Sequence, residues 1–204
     1  MRTPPQTDRL SEYFAYLRSV SPSALRVWAA PGEAELFAAV EGALWDAVKR
    51  IEASAKQHRA LQQQPGFPRL LVQMLTSASI FANAGETRDG YTDVGVRHPA
   101  EPAYATLGEC LVYQGGERHR AACRRLLDRC ASGRPARGFC LEFFVDPGMP
   151  EQLQALRAEL AAEKPFDQVD APADHPEIAG AFVTAHRLPR GGVVELLHLG
   201  CNLS

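Results

Sequence analysis

The stretch YATLGECLVYQGG, residues 104–116, decides the fold. Its residues alternate as a half-buried strand does, and a glycine pair then turns the chain. The next segment, ERHRAACRRLLDRCA (117–131), returns to spacings of three and four, with Ala122, Cys123, Leu126, Leu127 and Cys130 on one helix face. A carboxylate, Glu109, lies inside the otherwise apolar strand, and two residues on, where phosphodiester chemistry would want a lysine, stands Leu111.

Upstream, IFANAGET (80–87) and YTDVGVR (91–97) read as two further strands, joined through Asp89-Gly90, a strong hairpin pair. Before them, Phe67, Leu70, Leu71, Met74, Leu75 and Ala78 mark an amphipathic helix. Downstream, FCLEFFV (139–145) is a dense apolar run, the pattern of a central strand buried on both faces. A helix is expected after Pro147-Gly148, and segments 180–188 and 193–200 read as a closing hairpin. The order helix, three strands, helix, strand gives an α/β class with a mixed sheet flanked by helices.

The N-terminal part is expected to hold a short helix over 7–20, a short strand over 23–30, and a long helix over 33–61. The stripe Phe37, Val40, Leu44, Val48, Ile51 and Ala55 is most simply core packing; a homodimer seam through the same 33–61 helix is the sharper reading. Residues 1–62 are thus read as a helical extension packed on or leading into a core domain of residues 63–204. The 204-residue length fits one domain with such an extension.

The formal net charge of −2 gives no whole-protein field toward phosphate, so any such attraction must be local. The five cysteines form no CxxC pair, and reduced, partly buried thiols are the simplest reading. The first residues carry no apolar secretion segment, and no apolar run approaches the ~18 residues of a membrane span. A cytoplasmic protein with no membrane partner is expected. There is no Walker A sequence, dinucleotide fingerprint or nucleophile elbow. His58, His98, His119 and His175 stand singly, whereas His186, His198 and Cys201 come together in the closing hairpin; their spacing matches no zinc motif, and packing is the simpler reading.

If the strands at 91–97 and 104–113 are neighbours, Asp93 and Glu109 converge. Two close carboxylates repel unless a proton or a divalent cation intervenes, and their oxygens suit Mg or Mn. The helix that follows is strongly basic: residues 117–137 carry seven arginines against two carboxylates, a net +5. Such a face beside a metal could hold a phosphate backbone. The plainer readings are that Glu109 pairs with an arginine and that the basic face is solvated.

The runs GETRDGYTDVGV and LGECLVYQGGERHRAACRRLL resemble one branch of the restriction-endonuclease-like superfamily, the PD-(D/E)XK nucleases. In that branch a Gly-Glu-Thr strand leads to Gly-x-x-Asp, then Ala-Glu-Cys-Lys, then a helix with Gln-Leu-Leu. GFCLEFFVDPGMPEQLQAL and HPEIAGAFVTAHRLPRGGVVELLHL are similar to its next strand and helix and its closing hairpin, so the resemblance spans roughly residues 67–200. It implies a restriction-endonuclease-like core with an N-terminal helical extension and a C-terminal β-hairpin. It implies metal-binding and catalytic roles for Asp93 and Glu109 and a catalytic role for Glu86, which falls at the branch's strand glutamate, and it matches Cys110, Leu126 and Leu127. Mg or Mn would be the cofactor and DNA the partner, held by Arg118, Arg120, Arg124, Arg125 and Arg129. Two positions depart from the pattern: Leu111 replaces the lysine, and Arg125 replaces the helix glutamine.

The leading expectation is therefore a metal-dependent DNA endonuclease, or a degenerate descendant of one, in bacterial defence against foreign DNA. The alternative is a catalytically inactive nuclease-fold protein that binds nucleic acid or a protein partner in a larger complex. A third reading is a small binding protein, such as a toxin inhibitor, whose strand carboxylates are structural.

Overall fold

The computed structural model describes residues 6–57, 66–78, 80–88, 91–101, 104–131 and 137–204, with side chains omitted at 6–10, 20, 57, 86–88 and 91–93. Three helices come first: α1 (Gln6–Val20), α2 (Pro22–Trp28) and α3 (Glu33–Ala53). They are followed by α4 (Gly66–Ser77), β1 (Phe81–Arg88), β2 (Tyr91–Arg97), β3 (Ala105–Val112), α5 (Gly116–Ala131) and β4 (Arg137–Phe144). The chain ends with α6 (Met149–Glu163), β5 (Ala173–Asp174), β6 (Phe182–Arg187) and β7 (Val193–Asn202).

The strands form one seven-stranded mixed sheet in the order β1-β2-β3-β4-β7-β6-β5. The pairs β3–β4 and β4–β7 are parallel and the rest antiparallel. Period-two alternation divides each central strand between two cores. Cys110, Val112, Phe139, Leu141, Phe143, Leu197, Leu199 and Cys201 face the layer of α1–α4. Cys140, Val194 and Leu196 face α5, and Phe144 and Phe182 meet α6. Glu109, Glu142 and His198 share the α5 side of this alternation, which places the polar groups of interest between the sheet and α5.

From α4 to β7 the element order read from the sequence is observed, with the two-residue strand β5 in addition, and the expected class, a mixed α/β fold, holds. Two N-terminal elements differ: the helix expected over 33–61 ends at Ala53, with a short 3-10 turn at Ala55–Gln57 after it, and the expected strand is a helix. SALRVWAA, expected as a strand, is the helix α2: Pro22 occupies its first turn, Ala24 and Val27 are buried at helical spacing, and the Ala29 amide donates to the Leu25 carbonyl at 3.0 Å. Valine and tryptophan suggested a strand, but proline cannot donate to a ladder, and its fixed φ suits a helix start. In α3 the stripe Phe37, Val40, Leu44, Val48 and Ile51 is buried in the chain's own core against the sheet. Those side chains are spent on packing rather than left for a dimer seam. The Asn202 amide also donates to Glu52 Oε1 at 2.7 Å, tying the end of α3 to β7. The boundary placed between residues 62 and 63 lies outside the described residues.

The turn between β6 and β7 needs glycine, because Gly191 and Gly192 sit at φ of 91° and 87°. A different constraint acts in β3. A Cβ on Gly108 would lie 2.2 Å from Cε2 and Cζ of Phe139, a wholly buried ring on the neighbouring strand. Gly108→Ala is therefore expected to destabilise the fold by about 1–3 kcal/mol through overpacking, read as a lower urea midpoint with an unchanged slope.

Candidate functional site

The strand register makes Asp93 of β2 the direct cross-strand partner of Glu109 of β3. Directly opposed residues of an antiparallel pair share a face, so the backbone brings these two positions together as expected. The side chains of Asp93 and Glu86 lie outside the described residues; the backbone of Glu86 falls in a stretch of β1 where the register with β2 shifts.

Glu109 is fully described, and its side chain is 0% exposed. Its Oε2 accepts from Arg125 Nη2 at 2.7 Å and its Oε1 from Arg129 Nη1 at 3.2 Å. The two arginines stand four residues apart on α5, hence on one helix face. Each carboxylate oxygen thus receives a guanidinium from the helix that the glycine turn folds back over β3. Leu111 is fully buried beside Ala122. The guanidinium of Arg125, at the position where the resembled branch carries glutamine, supplies positive charge beside Glu109, on a strand whose lysine position is apolar.

The other arginines expected to meet nucleic acid are also engaged within the chain. Arg118 donates to Gln114, and Arg120 pairs with Glu159 at 3.1 Å and Glu163 at 3.6 Å. Arg124 is exposed and lies 5.9 Å above the Phe166 ring.

Below this layer lies a polar cluster that the sequence did not reveal. His119 of α5, assigned above to an isolated position, is its hub. His119 Nδ1 lies 2.7 Å from Glu142 Oε1 of β4. His119 Nε2 lies 3.2 Å from Cys123 Sγ and 3.0 Å from His198 Nδ1 of β7. Cys123 Sγ is in turn 3.7 Å from Cys140 Sγ. All five residues are 0–1% exposed.

The chain of hydrogen bonds continues from His198 Nε2 to Thr184 Oγ1 (2.7 Å), to His186 Nε2 (2.8 Å), and from His186 Nδ1 to the Phe166 carbonyl (3.2 Å). A carbonyl only accepts, and burial holds His186 below the ordinary imidazole value, so with His186 neutral the protons upstream follow. His186 donates from Nδ1, Thr184 donates to His186 Nε2, and His198 donates from Nε2 to Thr184. His198 Nδ1 is then a bare lone pair directed at His119 Nε2.

Two opposite pulls act on His119. Burial disfavours its charge, but Cys123 and Glu142 outweigh that and hold it well above the ordinary imidazole value. The bond from the Cys140 thiol, together with His119, holds Cys123 well below the ordinary thiol range. Burial pushes His198 down to about 4, so it stays neutral. The Cys123–His119–Glu142 sequence has the order of a nucleophile, base and orienting acid, yet with every member buried a substrate has no approach to the sulfur.

The grouping of His186 and His198 with Cys201 needs correction. Thr184 does bridge His186 and His198, but Cys201 is three residues beyond His198 on β7 and therefore faces the opposite core. Cys123 takes the place given to it. The one local signal was His119-x-x-x-Cys123, a four-residue spacing on a helix face. His98 and His175 serve the backbone: each Nδ1 accepts two amides, from Ala100 and Glu101 and from Glu177 and Ile178. His58 lies outside the described residues.

A separate cleft of about 800 Å³ opens at the sheet's β1 edge, lined by Tyr13, Trp28, Ile80, Phe81, Arg97 and His98. Phe81 is 56% and Tyr13 38% exposed, and nearby on α1 Tyr16 is 59% exposed. No described helix is long and apolar enough to cross a membrane. Set against protein-family models, curated proteins and solved structures, the chain matches none of them.

Proposed function

We propose that this chain is a non-catalytic descendant of the restriction-endonuclease-like superfamily that acts by binding a protein partner. The observation that carries this reading is the pairing of Glu109 with both Arg125 and Arg129. In the resembled nucleases this carboxylate holds Mg or Mn. Here the guanidinium groups occupy its oxygens and already neutralise it, so a divalent cation would have to displace two charge-assisted bonds. Leu111 adds to this, because an apolar side chain cannot position an attacking water or offset charge on a transferring phosphate.

A protein partner is favoured over DNA by the state of the basic helix. Arg118, Arg120, Arg125 and Arg129 are engaged with acceptors of the same chain, which reduces their pull on a phosphate backbone. The exposed aromatic cleft at the β1 edge, with Arg97 at its rim, has the composition that protein interfaces concentrate.

Purified protein incubated with supercoiled DNA and Mg²⁺ or Mn²⁺ is expected to leave the DNA intact. Fluorescence anisotropy with a labelled duplex is expected to show no specific binding, with weak association at most that vanishes by moderate salt. Metal-dependent cutting that Asp93→Asn abolishes would overturn the loss of catalysis. Tight duplex binding that weakens on Arg124→Ala or Arg120→Ala would overturn the choice of a protein partner.

A further inference from the structure

We propose that His119, Cys123, Cys140 and His198 form a buried structural site for zinc. The inference is independent of the nuclease reading, since none of these residues belongs to the Asp93–Glu109 pair.

Geometry comes first. His119, Cys123 and His198 bring one nitrogen, one sulfur and one nitrogen within 4.8 Å of each other, all from buried residues. Zinc bonds of ~2.0–2.1 Å to nitrogen and ~2.3 Å to sulfur imply tetrahedral edges of about 3.3 Å between nitrogens, 3.5 Å between nitrogen and sulfur, and 3.8 Å between sulfurs. The observed edges are 3.0 Å for His119 Nε2–His198 Nδ1, 3.2 Å for His119 Nε2–Cys123 Sγ and 3.7 Å for Cys123 Sγ–Cys140 Sγ. These edges fall within a few tenths of an ångström of the tetrahedral values; Cys140 Sγ, 3.7 Å from Cys123 Sγ but outside the 4.8 Å group, is the side chain that would have to turn inward as the fourth ligand.

The hydrogen bonds around the cluster point the right atoms inward. His198 Nδ1 is a lone pair, because Nε2–H is committed to Thr184 and the chain ends on the Phe166 carbonyl. Glu142 takes Nδ1–H of His119, the carboxylate–histidine arrangement that orients a metal-bound imidazole. That leaves Nε2 of His119 facing the lone pair of His198 Nδ1 at 3.0 Å, a position that a shared proton or a metal ion can fill. Glu142 Oε2 is buried and has no hydrogen-bond partner among the described residues.

The donor set selects the metal. Two thiolates and two imidazoles suit zinc and are poor ligands for Mg or Mn. A zinc ion with two thiolates is neutral, which a site this deeply buried requires. On binding, the remaining thiol and imidazole protons leave to solvent and the metal takes their place. With four protein ligands and no exposed vertex, the site stabilises the packing of α5 on β4 and β7 rather than activating water.

The test is metal analysis of reduced protein expressed in medium containing zinc. About one equivalent of zinc per chain is expected, and prolonged chelation is expected to lower the melting temperature. Protein grown with cobalt should show the intense visible bands of a tetrahedral site and a thiolate charge-transfer band. Both bands should be lost in Cys123→Ser and His198→Gln and kept in Cys201→Ser, a buried cysteine on the opposite face. Metal-free protein from both media, or cobalt bands that persist in Cys123→Ser, would overturn the proposal, as would a Cys123–Cys140 disulfide in place of metal. If the ligand variants fail to fold, the metal content of the parent protein decides.

Discussion

Alanine at both Arg125 and Arg129 is expected to cost the fold about 3–5 kcal/mol, the usual penalty for breaking a buried ion pair from one side. Glu109 has no exposed surface, whereas each arginine is 31% exposed. The carboxylate therefore suffers most when the pair is broken, since the arginines can recover water and Glu109 cannot. Arg125→Ala should cost more than Arg129→Ala, because the 2.7 Å bond is the shorter and better formed of the two. Each single variant should lose less than the pair, since one cation remains.

For a chain of this length, the double substitution should lower the melting temperature by roughly 6–20 °C. A third substitution, Glu109→Leu, removes the stranded anion and is expected to recover much of the loss. Arg124→Ala, which removes only an exposed guanidinium over Phe166, should change stability by about 1 kcal/mol or less. Urea melts of the parent and these five variants measure this ordering. If the double variant were as stable as the parent, these arginines would not hold Glu109 in solution, and the argument against a metal there would fail with them.

The sequence made this pair half visible. A glutamate in an apolar strand had to find a cation, and Arg125 and Arg129 stand four apart on the next helix, beside the apolar stripe Leu126–Cys130. What the pattern could not decide was whether those arginines turned in toward Glu109 or out toward a ligand. That depends on how α5 lies over β3, a tertiary fact. The fold was legible for a related reason. A change from period two to period three or four is a local property, so β2, β3, α5 and β4 could be read directly. SALRVWAA was not, because eight residues are too few to separate the two periods and its composition favoured a strand.

The histidine–cysteine cluster shows where local reading stops. Its members come from α5, β4, β6 and β7, and His119 lies 79 positions from His198. No spacing rule spans that distance; the parallel β4–β7 pair and the helix above it bring them together. That Cys201 stands apart from His198 follows from the sequence alone, since an offset of three along a strand reverses the face. Cys110, matched to the motif cysteine of the resembled family, packs in the core on the α1–α4 side, the face opposite Glu109.

His119 also balances a buried charge, and its removal is expected to be the most costly single change in the α5 layer. With Nδ1 gone, both oxygens of Glu142 would lie buried without a partner among the described residues. His119→Leu should cost about 3–5 kcal/mol on this ground alone. Most of that is a penalty for the bare carboxylate rather than for the lost ring. It follows that His119→Leu/Glu142→Gln should be more stable than His119→Leu, even though it removes a second native group. Glu142→Gln alone should cost less, about 1–3 kcal/mol, because an amide oxygen can still accept from His119. Measuring all four proteins by urea denaturation with chelator present separates this charge balance from any metal contribution. A coupling of several kcal/mol between the two sites is expected from the cycle. Additive losses would mean that Glu142 finds another partner when His119 is removed, and that the two residues do not form the charge pair on which the cluster is built.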